Sequence, residues 1–146
     1  MFELLIVIFI GLIGGMAVGI QSPITGAMGQ RLGGTASSFI VHISGMLFSG
    51  LFLLIRGGEK IRDWTTLLWY MLVSGVFGLI LILSISTTLP RLGGAVMITL
   101  VITGQLLTGV VVDHFGWLGV PVHPISMARV AGVVLLLGGG YLIGKY

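Results

Sequence analysis

Cysteine is absent from this sequence, which excludes disulfides and thiolate metal sites. Charge is scarce as well. Only 8% of the residues are charged, whereas a soluble domain carries roughly 25%. A surface so poorly charged cannot stay solvated by water, so lipid is the expected solvent. The seven Lys and Arg residues stand singly between apolar segments and form no basic stripe interleaved with aromatics, which excludes nucleic acid as a partner. No P-loop, phosphate cradle or His/carboxylate ligand spacing occurs, so no metal, no cofactor and no ATP-driven step by this chain alone is expected. Nor is a catalytic nucleophile marked. Asp113 and His114 are neighbours, but consecutive helical residues point about 100° apart and do not face each other. The chain is not expected to be an enzyme.

What is present is apolar: 56% of the residues are hydrophobic, and the mean hydropathy is +1.19. The 25 glycines fit membrane helices, where small residues allow close approach. A bilayer core of about 30 Å needs roughly 20 mostly apolar helical residues. Five segments qualify, at about 2–28, 36–55, 66–87, 95–112 and 127–143. The first starts with Glu3 and lacks a small-residue cleavage site, so it reads as a retained span. The connections are short, with Trp64 and Trp69 at interfacial height, and the chain reads as one polytopic domain over residues 1–146. Arg31-Leu-Gly-Gly34 recurs as Arg91-Leu-Gly-Gly94, either a trace of duplication or a reused turn in which Gly permits a tight reversal and Arg anchors at headgroups.

Five spans place the two ends of the segment on opposite sides. Arg56, Lys60, Arg62 and Arg129 fall on one side; Arg31, Arg91 and Lys145 fall on the other. Orientation follows the excess of Lys and Arg in short cytoplasmic loops, and here that excess is a single residue. Two readings follow: a fixed topology with weak bias, or insertion in both orientations and pairing with an inverted copy. The second supplies the two inverted halves that transporters use, with the site at the midplane.

Polar side chains inside hydrocarbon are costly and therefore informative. Gln21 and Ser22 adjoin Pro23, which removes a backbone donor and frees the carbonyl one turn earlier. That is either a binding site built on a broken helix or a packing kink capped by Gln21. His42 shares a helical face with Ser38 and Gly45 and could relay protons or bond a neighbouring helix. Gln105, near the middle of its span with Thr108 and Thr99, is either interhelical glue or a substrate contact. Asp113 reads as structural or gating, paired with Arg129 or with an Arg of a partner chain. Gly11, Gly15 and Gly19 form a small-residue face on the first span, and Gly138 to Gly140 either permit close approach or act as a hinge. No Asp or Glu lies mid-membrane, which disfavours cation export driven by a buried proton-exchanging carboxylate.

Three stretches carry a resemblance. Gln21-Ser-Pro-Ile-Thr-Gly-Ala-Met-Gly-Gln-Arg-Leu-Gly33, Pro90-Arg-Leu-Gly-Gly-Ala95 and Gly104-Gln-Leu-Leu-Thr-Gly-Val-Val-Val-Asp-His-Phe-Gly-Trp-Leu-Gly119 are similar to the YdcZ-type proteins. These are short, five-helix proteins of the bacterial inner membrane in the drug/metabolite transporter superfamily. The first motif usually carries Asn where this chain has Thr25. The resemblance implies an all-α integral membrane protein with the drug/metabolite transporter-like fold, related to ten-helix transporters built as five plus five. It also points to Gln105, and it does not single out His42.

The expectation is a secondary or facilitative transporter of a small, neutral or weakly charged solute, completed as an antiparallel homodimer. Its lining candidates are Gln21, Ser22, Thr25, His42, Thr103 and Gln105. Pro23, Arg31, Arg91 and Asp113 are structural or gating candidates. The alternatives are a non-transporting scaffold or regulatory subunit and, after that, a channel.

Overall fold

Without water in the bilayer core, a spanning segment must satisfy its backbone polar groups internally, and a helix does this within one segment. The computed structural model, which describes residues 1–145, follows that rule. Its helices are α1 Phe2–Leu32, α2 Gly34–Ile55, α3 Trp69–Leu72, α4 Gly75–Leu92, α5 Gly94–Phe115 and α6 Met127–Lys145, with 3-10 turns at Ile61–Thr66 and Trp117–Gly119. α3 and α4 together make one apolar stretch, Trp69–Leu92, so five stretches are long and apolar enough to cross a membrane. No strand occurs among the described residues. The protein is all-α.

The helix ends differ from those read in the sequence, and the differences have local causes. α1 continues through Pro23 to Leu32 rather than ending near Met28. At 31 residues it is about 46 Å long, well beyond the hydrocarbon core. Ser22 Oγ donates to the Val18 carbonyl at 2.7 Å, beside the Gly19 carbonyl that Pro23 cannot bond. α4 likewise takes in Pro90, where the expected span stopped near 87. Ser86, Thr87 and Thr88 donate their hydroxyls to the carbonyls of Ile82, Leu83 and Ser84 in its last turns. These hydroxyls bond carbonyls near the Gly19 and Ser86 carbonyls that the two prolines cannot bond, and both helices run on through the proline.

The two Arg-Leu-Gly-Gly turns are the same backbone device. Gly33 has φ 88° and ψ 151°, and Gly93 has φ 77° and ψ 165°, a region essentially restricted to glycine. Each glycine alone separates two helices, so the expected connections shrink to one residue. Buried positions recur at equal sequence distance from the two glycines: Ser22 and Ile82, Thr25 and Ile85, Ser37 and Met97. That correspondence strengthens the internal repeat seen in the sequence.

The chain forms two compact units, Met1–Pro90 and a second beginning at Arg91. In the first, Ser37 Oγ of α2 donates to the Thr25 carbonyl of α1 at 3.1 Å. α4 presents Leu89, Ser86 and Leu83 at helical spacing to Gly26, Gly29 and Gly34. A Cβ at Gly26 or Gly29 would run into Leu89 or Ser86, and one at Gly34 would lie 2.9 Å from Leu83 Cδ2. This is packing by small residues, the usual means of holding helices together in lipid. Gly11, Gly15 and Gly19, expected to serve the same purpose, face open space within the chain.

In the second unit α5 and α6 pack closely where Gly140 meets Thr99 and where a Cβ on Gly144 would lie 2.6 Å from Val96. α6 runs unbroken through Gly138 to Gly140. α5 ends at Gly116 in the left-handed conformation, with φ 63°. The loop that follows is tied back by His123 N–H to the Asp113 carbonyl at 2.8 Å and by Ile125 N–H to His114 Nδ1 at 3.2 Å.

Candidate functional site

A groove of about 560 Å³ runs between α1 and α2. On α1 it is lined by Gln21, Ile24, Thr25 and Met28, and on α2 by Val41, Ser44, Gly45 and Phe48. Positions 41, 44, 45 and 48 fall on one helical face, so the α2 wall is a single stripe. Gln21 is exposed, and its amide has no hydrogen-bond partner among the described residues. It therefore does not cap the carbonyl freed by Pro23. Thr25 is buried at the groove floor, and its carbonyl holds Ser37.

Ser22 is buried with its hydroxyl turned back onto its own helix, and it does not line this groove. His42 also lies outside the groove. Its ring donates from Nδ1 to the Ser38 carbonyl at 2.7 Å, with Ser38 Oγ at 3.2 Å from the same nitrogen. It makes no hydrogen bond to a neighbouring helix.

A second groove, of about 500 Å³, lies between α5 and α6. Gln105, Gly109 and Asp113 line it on α5, facing Arg129, Gly132 and Leu136 on α6. Gln105 is exposed and, like Gln21, has no partner for its amide among the described residues. At the loop end Arg129 Nη1 donates to Asp113 Oδ2 at 3.2 Å and to the His123 carbonyl at 3.2 Å. The intrachain pairing considered for Asp113 is thus formed, and it fastens the α5–α6 loop. Thr103 is buried, and its Oγ1 has no hydrogen-bond partner among the described residues. Arg31 and Arg91 are exposed in the last turns of α1 and α4, where a cation complements the helix dipole.

The profile of one protein family, described as "Putative inner membrane exporter, YdcZ", matches residues 6–142. The chain belongs to the YdcZ family. Its five apolar helices and this membership make it a multi-pass protein of the inner membrane and place it among membrane transporters, a class that is not enzymatic. Comparison with curated proteins and with solved structures gave no match.

Sequence reading passed over Ser37 and Ser44, which the YdcZ fold uses at the α1–α2 contact and in the groove wall. Their helical phase relative to Val41 and Phe48 was the available signal, blurred because α2 scatters serines over several faces of a strongly apolar helix.

Proposed function

We propose that this chain is a secondary or facilitative carrier of a small, neutral or weakly charged solute. It acts as one polytopic domain and pairs with an inverted copy of itself. In the first unit Gln21 and Thr25 are its solute contacts with Ser22 behind them, and in the second unit, taken separately, Gln105 is, with Thr103 behind it and Asp113 at the end of the α5–α6 groove. The observation that carries this reading is the exposure of two unpartnered amides, Gln21 and Gln105, inside strongly hydrophobic spans. An unmet polar group in hydrocarbon costs several kcal/mol, so both amides need a polar partner that their own unit does not supply. An inverted copy enclosing a wet cavity supplies one. The open glycine face of α1 and the near-equal charge of the two sides support the same pairing.

The test is flux in proteoliposomes with radiolabelled monocarboxylates, amino acids and neutral osmolytes. Saturable uptake or exchange supports a carrier. Non-saturating conductance indicates a channel, and no flux a scaffold or regulatory subunit. Gln105→Leu separates site from glue: lost flux with the dimer intact supports a solute contact, whereas a dissociated dimer assigns Gln105 to the interface.

A further inference from the structure

We propose that His42 is a proton-binding site and that the carrier is coupled to protons through its Nε2 atom; the coupling half of this statement rests on the carrier reading above. A carbonyl oxygen only accepts, so the 2.7 Å contact to the Ser38 carbonyl requires the hydrogen on Nδ1. In the neutral ring the lone pair is then on Nε2. That atom faces α4, where a Cβ on Gly78 would lie 2.8 Å from Nε2 and 3.4 Å from Cε1. Nε2 has no hydrogen-bond partner among the described residues, and the residue is exposed. The intrahelical bond thus fixes the tautomer and leaves one basic nitrogen unmet.

Position also isolates this ring. His42 lies about 12 Å along α2 from its Gly34 end, within the middle third of the helix. The elements against it offer no competing charge. α4 carries only Arg91, about 20 Å along the helix from Gly78, and α1 carries Glu3 and Arg31 near its two ends. On these three helices His42 is the one titratable group away from a helix end. Proton uptake at Nε2 converts the neutral ring to a cation with N–H groups on both nitrogens. A cation placed there favours an anionic solute carried together with the proton, admits a neutral one and disfavours a cationic one, consistent with the lack of a mid-span carboxylate.

The experiment uses the full chain in lipid nanodiscs with isotope-labelled histidine. His42 is resolved from His114 and His123 by the His42→Gln variant. Ring resonances are followed as pH is varied. The proposal expects reversible protonation at Nε2 with the Nδ1 bond retained. A His42 ring that keeps one protonation state throughout overturns it.

Flux of the same solute panel then tests coupling. The wild type should accumulate a monocarboxylate or neutral solute when a pH gradient is imposed, and His42→Gln should lose at least tenfold of that accumulation; a variant that accumulates as the wild type does overturns coupling. Flux indifferent to the gradient overturns coupling and leaves the carrier reading standing. Titration without flux of any panel solute overturns the carrier reading and the coupling together. Gly78→Ala, which crowds Nε2 with His42 in place, guards against a folding defect in the first variant. Its His42 titration and the pH profile of its flux should shift together; a displaced titration with an unchanged profile overturns coupling.

Discussion

The Ser37 hydroxyl of α2 and the Thr25 carbonyl of α1 are joined by a buried hydrogen bond of 3.1 Å. The Thr25 carbonyl also keeps its own helix bond, so losing the hydroxyl removes one interhelical contact and leaves no bare acceptor. Ser37→Ala should therefore cost only about 0.6–1 kcal/mol. Ser37→Leu, forced into a fully buried position, should cost about 1–3 kcal/mol. Unfolding titrations in mixed micelles read both values, and equal losses would contradict the assignment.

Gly26 and Leu89 supply a test of the α1–α4 contact. Gly26→Ala drives a methyl into the Leu89 side chain and should destabilise by about 1–3 kcal/mol. Leu89→Ala makes room, so the double variant should be more stable than the sum of the two single losses. A strictly additive result means that these side chains do not meet.

Gly33 and Gly93 should respond alike. Alanine at either position must adopt a backbone reserved for glycine, and each substitution should cost about 1–3 kcal/mol. Gly11→Ala, which meets open space within the chain, should leave the fold of a single chain unaffected. Thermal unfolding midpoints compare the three.

The spans were legible because long apolar runs leave a helix as the only solution in lipid. Their ends were less so. A proline read in isolation looks like a terminator, yet Pro23 and Pro90 lie inside helices beside hydroxyls that bond the nearby backbone. The single-residue joints at Gly33 and Gly93 depend on a positive φ, which composition suggests but does not locate. In the candidate site, Gln21 and Gln105 stood out as lone amides in apolar surroundings, and Asp113 with Arg129 as opposite charges near a loop. Ser22 and Thr103 were read as lining, although both are buried in the chain; periodicity cannot separate inward from outward faces when the whole helix is apolar.

The Asp113–Arg129 pair has about a third of each side chain exposed, so its contribution is modest. Asp113→Asn should cost about 0.2–1 kcal/mol and loosen residues 116–126, seen as faster amide hydrogen exchange there. High salt should mimic the substitution in the wild type. Unchanged exchange in the variant would show that the loop is held by its backbone bonds alone.

The account depends most on the unmet amides of Gln21 and Gln105 finding their partner in an inverted second copy. C-terminal fusions to two reporters, one active only in the cytoplasm and one only outside it, measure this most directly in whole cells. Dual insertion predicts comparable activity from both reporters, shifted to one side by a single added Arg in the 56–63 loop. Activity from one reporter alone, unmoved by that charge, would contradict the pairing.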